Sequence, residues 1–120
     1  MNKIDQLHND ELQAILMELS DMLQKVYHDK LKSVVLYGSF ARKTATDESD
    51  IDIMVLVDGT NQDLRVFEDR LSDVSTDISL KYSKVFSIID ISYQEYMTWK
   101  SISPFYKNVS QEALEIWKRC

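Results

Sequence analysis

Gly38-Ser39-Phe40-Ala41-Arg42-Lys43-Thr44-Ala45-Thr46-Asp47-Glu48-Ser49-Asp50-Ile51-Asp52 separates two short apolar runs and sets how they are joined. The run before it, Lys32-Ser33-Val34-Val35-Leu36-Tyr37, is rich in β-formers and reads as a strand. At Gly38-Ser39 the chain breaks. Glycine lets the backbone come close to a bulky anion, and Ser39 offers a hydroxyl as well as an N–H. A helical turn starting at Phe40 would add free amide groups to the same anion. After ten intervening residues come Asp50 and Asp52, which open a second apolar run ending at Val57. Residues two apart in a strand share a face, about 6.6–6.8 Å from one another. Two carboxylates so placed converge on one or two divalent cations, and their hard oxygens suit Mg²⁺ or Mn²⁺ at a phosphate site.

An isolated Asp-x-Asp is more often only a polar strand entrance. The combination of strand, Gly38-Ser39, ten residues, Asp50-x-Asp52 and strand is far more specific. It resembles the nucleotidyltransferases of the DNA polymerase β superfamily, and the short length resembles the minimal nucleotidyltransferases, often encoded beside a HEPN-domain ribonuclease toxin. Leu36 to Arg42, Ser49 to Ile53 and Ser103 to Val109 carry the likeness. Many relatives have glycine where Lys43 stands; a solvated lysine is the simpler reading, a cation near the triphosphate the other.

The resemblance implies transfer of a nucleoside monophosphate from an NTP, with ATP expected. Gly38, Ser39 and Arg42 would hold the phosphates, although Arg42 has an equal claim to an ordinary salt bridge. Asp50 and Asp52 would hold Mg²⁺ or Mn²⁺. The superfamily's third metal ligand is expected in the third strand, where Asp90 is the only acid; as the third catalytic carboxylate it would also serve as general base. Asp77 is the weaker alternative, and a strand-end or helix-capping role is the plain one for Asp90.

The resemblance also implies an acceptor: a tyrosine hydroxyl on a HEPN toxin, which would make the chain an antitoxin and part of a hetero-oligomer. The two competing readings are one subunit of a small-molecule, antibiotic-type nucleotidyltransferase, and a silent module that blocks its partner by shape alone.

The 120 residues, 44% hydrophobic, lead us to expect one domain spanning 1–120 with one packed core. Two glycines and one proline favour long regular elements. The net charge of −6 argues against broad binding to duplex nucleic acid but permits a Mg²⁺-bound nucleotide or a basic protein partner. No apolar run is long enough to cross a bilayer, the first residues lack a secretion signal, and the single cysteine, Cys120, has no partner for a disulfide. We therefore expect a cytoplasmic protein. His8 and His28 read as surface or turn residues.

Helical spacing of Leu12, Ile15, Leu16, Leu19, Met22, Leu23 and Val26 predicts a first helix over 10–27. A second is predicted over 62–82, leading to a third strand over 85–91 that is either parallel or antiparallel. Ser92 and Glu95 form a capping box for a further helix, and 105–118 is expected to be helical with Leu114 and Trp117 on one face. Trp99, Phe105, Tyr106 and Trp117 are expected as core, with a partner-binding patch as the alternative. The fold class is then a small mixed α/β sheet of about three to four strands flanked by helices, the polymerase β-like nucleotidyltransferase fold.

Overall fold

A computed structural model describes residues 2–3, 9–42, 44–46 and 48–119. The expectations for His8, Lys43 and Cys120 lie outside the described residues. The apolar stripe read from 10–27 forms α1 (Asp10–Tyr27), started by the Asn9 side chain, which accepts from the Leu12 amide at 3.0 Å. A short 3₁₀ turn leads into β2 (Leu31–Tyr37), and β1 is the two-residue strand Asn2–Lys3 before α1. After the Gly38 turn come α2 (Ser39–Arg42), the polar loop, and β3 (Ile51–Val57).

The second helix is interrupted. A capping box between Thr60 and Asp63 starts α3 (Asn61–Leu64), a 3₁₀ turn covers Arg65–Phe67, and α4 runs Glu68–Tyr82. The tighter turn eclipses residues three apart, and both Leu64 and Phe67 are buried. Next, β4 (Phe86–Ser92) pairs parallel to β3, which decides the orientation that the sequence left open. The Ser92 hydroxyl accepts from the Glu95 amide and opens α5 (Tyr93–Trp99).

The expected helix over 105–118 is corrected. Pro104–Glu112 form α6, but Leu114–Lys118 form β5, inserted between β1 and β2. Leu114 and Ile116 alternate with Glu115 and Trp117, a period of two. The open edge of β2 supplies the hydrogen bonds that make this strand the lower-energy choice.

The sheet order is β1-β5-β2-β3-β4, mixed in direction. Its two faces are built from alternate residues. Leu36, Ile51, Ile53, Val55, Phe86 and Ile88 face α1 and α4, packing with Leu16, Leu19, Val74 and Ile78. Val35, Met54, Leu56, Ile89 and Ile91 face α5 and α6, packing with Tyr96 and Val109. Of the four late aromatics, Tyr106 and Trp117 pack against core, whereas Trp99 and Phe105 stay about half exposed. Among the described residues no helix is long and apolar enough to cross a membrane.

Candidate active site

At the end of β2, Tyr37 stands opposite Asp52 of β3 in the antiparallel register. Gly38 then turns the chain with a φ of 74°, a region costly for any residue with a Cβ. A Cβ at Gly38 would also collide with Oδ2 of Asp52 and lie 3.2 Å from its Cγ. The carboxylate is therefore seated against the glycine backbone, with α2 starting at the next residue, Ser39. The first amides of a helix have no partner within it. The turn is closed by the Arg42 amide on the Gly38 carbonyl (3.1 Å) and the Thr44 amide on the Ser39 carbonyl (2.9 Å).

Asp50 is set by its flanks. The Ser49 amide donates to the Thr46 carbonyl at 3.0 Å, and the Ile51 amide donates to the Val85 carbonyl at 2.9 Å. Asp50 is exposed and Asp52 half-buried. Burial raises the proton affinity of Asp52 above the usual aspartate range, the charge of Asp50 raises it further, and Arg42 opposes both. Tyr37 is likewise pushed up, by burial and by Asp52. Two like charges held this close are what a divalent cation relieves, so the residues present fit such an ion.

The sequence-derived residues do not all meet. Gly38, Ser39, Asp50 and Asp52 come together, with Arg42 within electrostatic reach of Asp52. The Arg42 guanidinium is tied to Glu112 at the end of α6, at 3.1 Å, so the salt-bridge role is the one observed.

Asp90 does not join them. It stands beside Val55, three positions along from the Asp52–Ser87 pair, and an odd step puts it on the opposite face. There Oδ2 of Asp90 accepts from the Tyr27 hydroxyl at 3.0 Å, and the Tyr27 ring packs on Phe67 with centroids 4.7 Å apart. Burial raises the pKa of Asp90, the Tyr27 bond opposes it, and Glu68 adds to it. The residue beside Asp52 on its own face is Ser87. Asp77 is exposed on α4, and among the described residues no three acidic, histidine or cysteine side chains gather into a metal-binding group. His28 is an exposed turn residue that ends α1.

Two neighbours escaped the sequence reading. Tyr37 packs edge-on against Phe105, centroids 5.9 Å apart, and the β2–β3 pairing that places it beside Asp52 was implicit in the two flanking strands. Glu112 had no signal, because its contact with Arg42 spans 70 residues.

Residues 9–103 match the family described as Polymerase beta, Nucleotidyltransferase. A relative in Methanocaldococcus jannaschii, MJ0604, provisionally named a protein adenylyltransferase, is 33% identical over 81% of this chain and 89% of its own length. The chain therefore belongs to the polymerase β nucleotidyltransferase family and is a nucleotidyltransferase. Two crystal structures share the fold. One is a toxin–antitoxin complex with AMP-PNP (TM-score 0.55, 17% identity, 89% of this chain and 73% of that one). The other is tri-AMPylated Shewanella oneidensis HEPN toxin in complex with MNT antitoxin (TM-score 0.55, 18% identity, 89% and 72%).

Proposed function

We propose that this chain, as one catalytic domain, moves the AMP of ATP onto a hydroxyl of a protein acceptor, a tyrosine of a HEPN-domain toxin, and so acts as its antitoxin in the cytoplasm. One observation carries the reading: the Asp52 carboxylate lies against Gly38, one residue before the α2 turn, with the charge of Asp50 beside it. That places acceptors for a cation and donors for phosphate within one turn of each other. The named relative and the complex with an AMPylated toxin support the choice of AMP and of a protein acceptor.

In this reading Gly38 and Ser39 cradle the phosphates, and Asp50 and Asp52 hold Mg²⁺ or Mn²⁺. The ion, when bound, supplies charge neutralisation on the phosphate oxygens. The acceptor oxygen forms its bond to the α-phosphorus as the bond to the bridging oxygen breaks and pyrophosphate leaves. Asp50 is exposed, so water reaches the pair and carries off the hydroxyl proton. Asp90 takes no part, since the sheet separates it from the pair. The preorganised turn acts by orientation, which lowers the barrier without reorganisation during the reaction.

The test is to incubate the chain with ATP, Mg²⁺ and the HEPN protein encoded beside it and to measure intact mass. Addition of one or more AMP groups to that protein is expected. An unchanged mass with a folded, ATP-binding chain defeats the reading. An Asp52→Asn variant that still neutralises the toxin fully would leave shape-blocking as the function.

A further inference from the structure

At the far end of the α5–α6 face lies a cavity of about 450 Å³, away from the acid pair. Leu56 borders it, four residues along β3 from Asp52 on the same side, about 13 Å up the strand. Lys32, Lys100, Lys118 and Arg119 line it, and an adjoining hollow that shares Lys100 and Ser110 adds Lys107. Five of the fourteen basic residues of an acidic chain thus gather at one place. Among the described residues the four lysines make no ion pair; the two ion pairs are Arg42–Glu112 and Lys81–Glu18. Arg119 is held by the carbonyls of Leu31 (2.9 Å) and His28 (2.8 Å) and lies over the Trp117 ring. Glu115 is the one carboxylate in the lining, and it accepts from Ser33 at 3.3 Å.

Tyr96 lines the cavity and is 2% exposed. Beside it the Ser110 hydroxyl donates to the Lys107 carbonyl at 2.9 Å and stands within hydrogen-bonding reach of the Tyr96 hydroxyl, which its oxygen can accept. The rim is not purely basic. Met97, on the same face of α5 as Tyr93, Tyr96 and Lys100, is 43% exposed at the cavity.

We propose that this cavity docks an acidic, amphipathic segment of the protein acceptor, carboxylates toward the lysines and apolar side chains toward Met97 and Tyr93. The inference deepens the proposed function and rests on the acceptor being a protein. Charge complementarity selects the occupant. A long polyanion such as RNA would meet the negative remainder of the surface, whereas a short acidic segment engages only the local cations. The half-exposed Met97 and the Tyr93 ring beside the cations suit a protein partner. Docking here would hold the acceptor on the face that carries Asp52.

The experiment titrates the full chain with a fluorescein-labelled ten-residue peptide of alternating glutamate and leucine, read by anisotropy. Saturable binding that weakens with salt is expected. The Lys32→Ala/Lys100→Ala/Lys118→Ala variant should bind about tenfold or more weakly, and Asp52→Asn should bind as the unaltered chain does. Absence of binding, or equal binding by the triple variant, overturns the inference. A labelled uridine octamer or ATP that displaces the peptide and loses affinity in the same variant would also overturn it, by making the site one for phosphate. AMP transfer to the acceptor, measured in parallel, separates the two claims: transfer without peptide binding removes the docking site and leaves the nucleotidyl transfer standing.

Discussion

Asp52 and Ser87 are register partners in the parallel β3–β4 pair and share one face of the sheet. A carboxylate in the place of Ser87 would complete a three-acid site, and here a hydroxyl stands instead. Ser87→Asp should therefore tighten Mn²⁺ or Mg²⁺ binding by about tenfold, since affinity of such sites follows the number of ligand charges. In metal-free buffer the same variant should melt at a lower temperature, because three close carboxylates repel. A metal titration followed by thermal shift reads both. Unchanged metal affinity would show that position 87 does not look into the site.

Asp90→Asn separates the two faces of the sheet. AMP transfer should stay within about twofold of the unaltered chain, because Asp90 bonds Tyr27 behind the sheet. Stability should change, and with a defined sign. The carboxyl is pushed above the ordinary aspartate value, first by burial. Protonation therefore favours the folded state. The stability this group contributes is full below the unfolded pKa, about 3.9, and is lost as pH rises through the higher folded value. Asparagine keeps the neutral form at every pH. The melting temperature of the variant should thus match the unaltered chain near about pH 4 and exceed it near about pH 7. A variant less stable at neutral pH would reverse the argument.

Asp52→Asn removes one of two neighbouring negative charges. Without metal it should melt no lower than the unaltered chain, since Asp52 is charged only against burial and against Asp50. With Mg²⁺ at about 100 times its Kd, the unaltered chain should gain about 2.7 kcal/mol and the variant far less. Nucleotide transfer by the variant should fall below detection. Calorimetry with and without Mg²⁺ checks the first part; equal metal stabilisation of both proteins would place the ion elsewhere.

Gly38→Ala meets two obstacles at once, a positive φ and the Asp52 carboxylate. The backbone alone accounts for about 1–2 kcal/mol. The carboxylate must also shift, and misplacement of a reacting group by about 1 Å lowers kcat about 100-fold. Urea unfolding should show a modest loss and single-turnover transfer a large one. A variant that loses stability in full but keeps its rate would mean that the Asp52–Gly38 contact is structural only.

What could be read without coordinates follows how local each signal is. The α1 boundaries were legible because seven apolar residues repeat through five turns. That Gly38-Ser39 and Asp50-x-Asp52 would meet was legible because each motif sits within a few residues of a strand end. The side on which Asp90 falls was not, because it depends on counting parity from a register partner, and one residue reverses the answer. β5 was missed because five residues hold too little of either period, and the decision belongs to the β2 edge. The break in the helix over 62–82 was hidden for a similar reason: Leu64, Phe67, Leu71, Val74 and Ile78 satisfy a continuous helix equally well.

Arg42 is the residue on which sequence and structure differ most usefully. Its ion pair with Glu112 leaves both side chains about 40–47% exposed. Such a pair contributes about 0–1 kcal/mol, so it is too weak to be the reason for an arginine at the mouth of the site. Burial and Asp50 raise the pKa of Asp52 and the same guanidinium partly opposes them, which puts it within reach of charge developing there. An arriving triphosphate would compete with Glu112 for it, and planar guanidinium favours phosphate oxygens in pairs. Arg42→Ala should raise the KM for ATP about tenfold with the melting temperature nearly unchanged. Glu112→Ala should leave stability as little affected and should lower that KM or leave it alone, because it frees the arginine. Steady-state kinetics on both variants decides: a KM that rises equally in each would mean that the Arg42–Glu112 tie, rather than the arginine's charge, shapes the site.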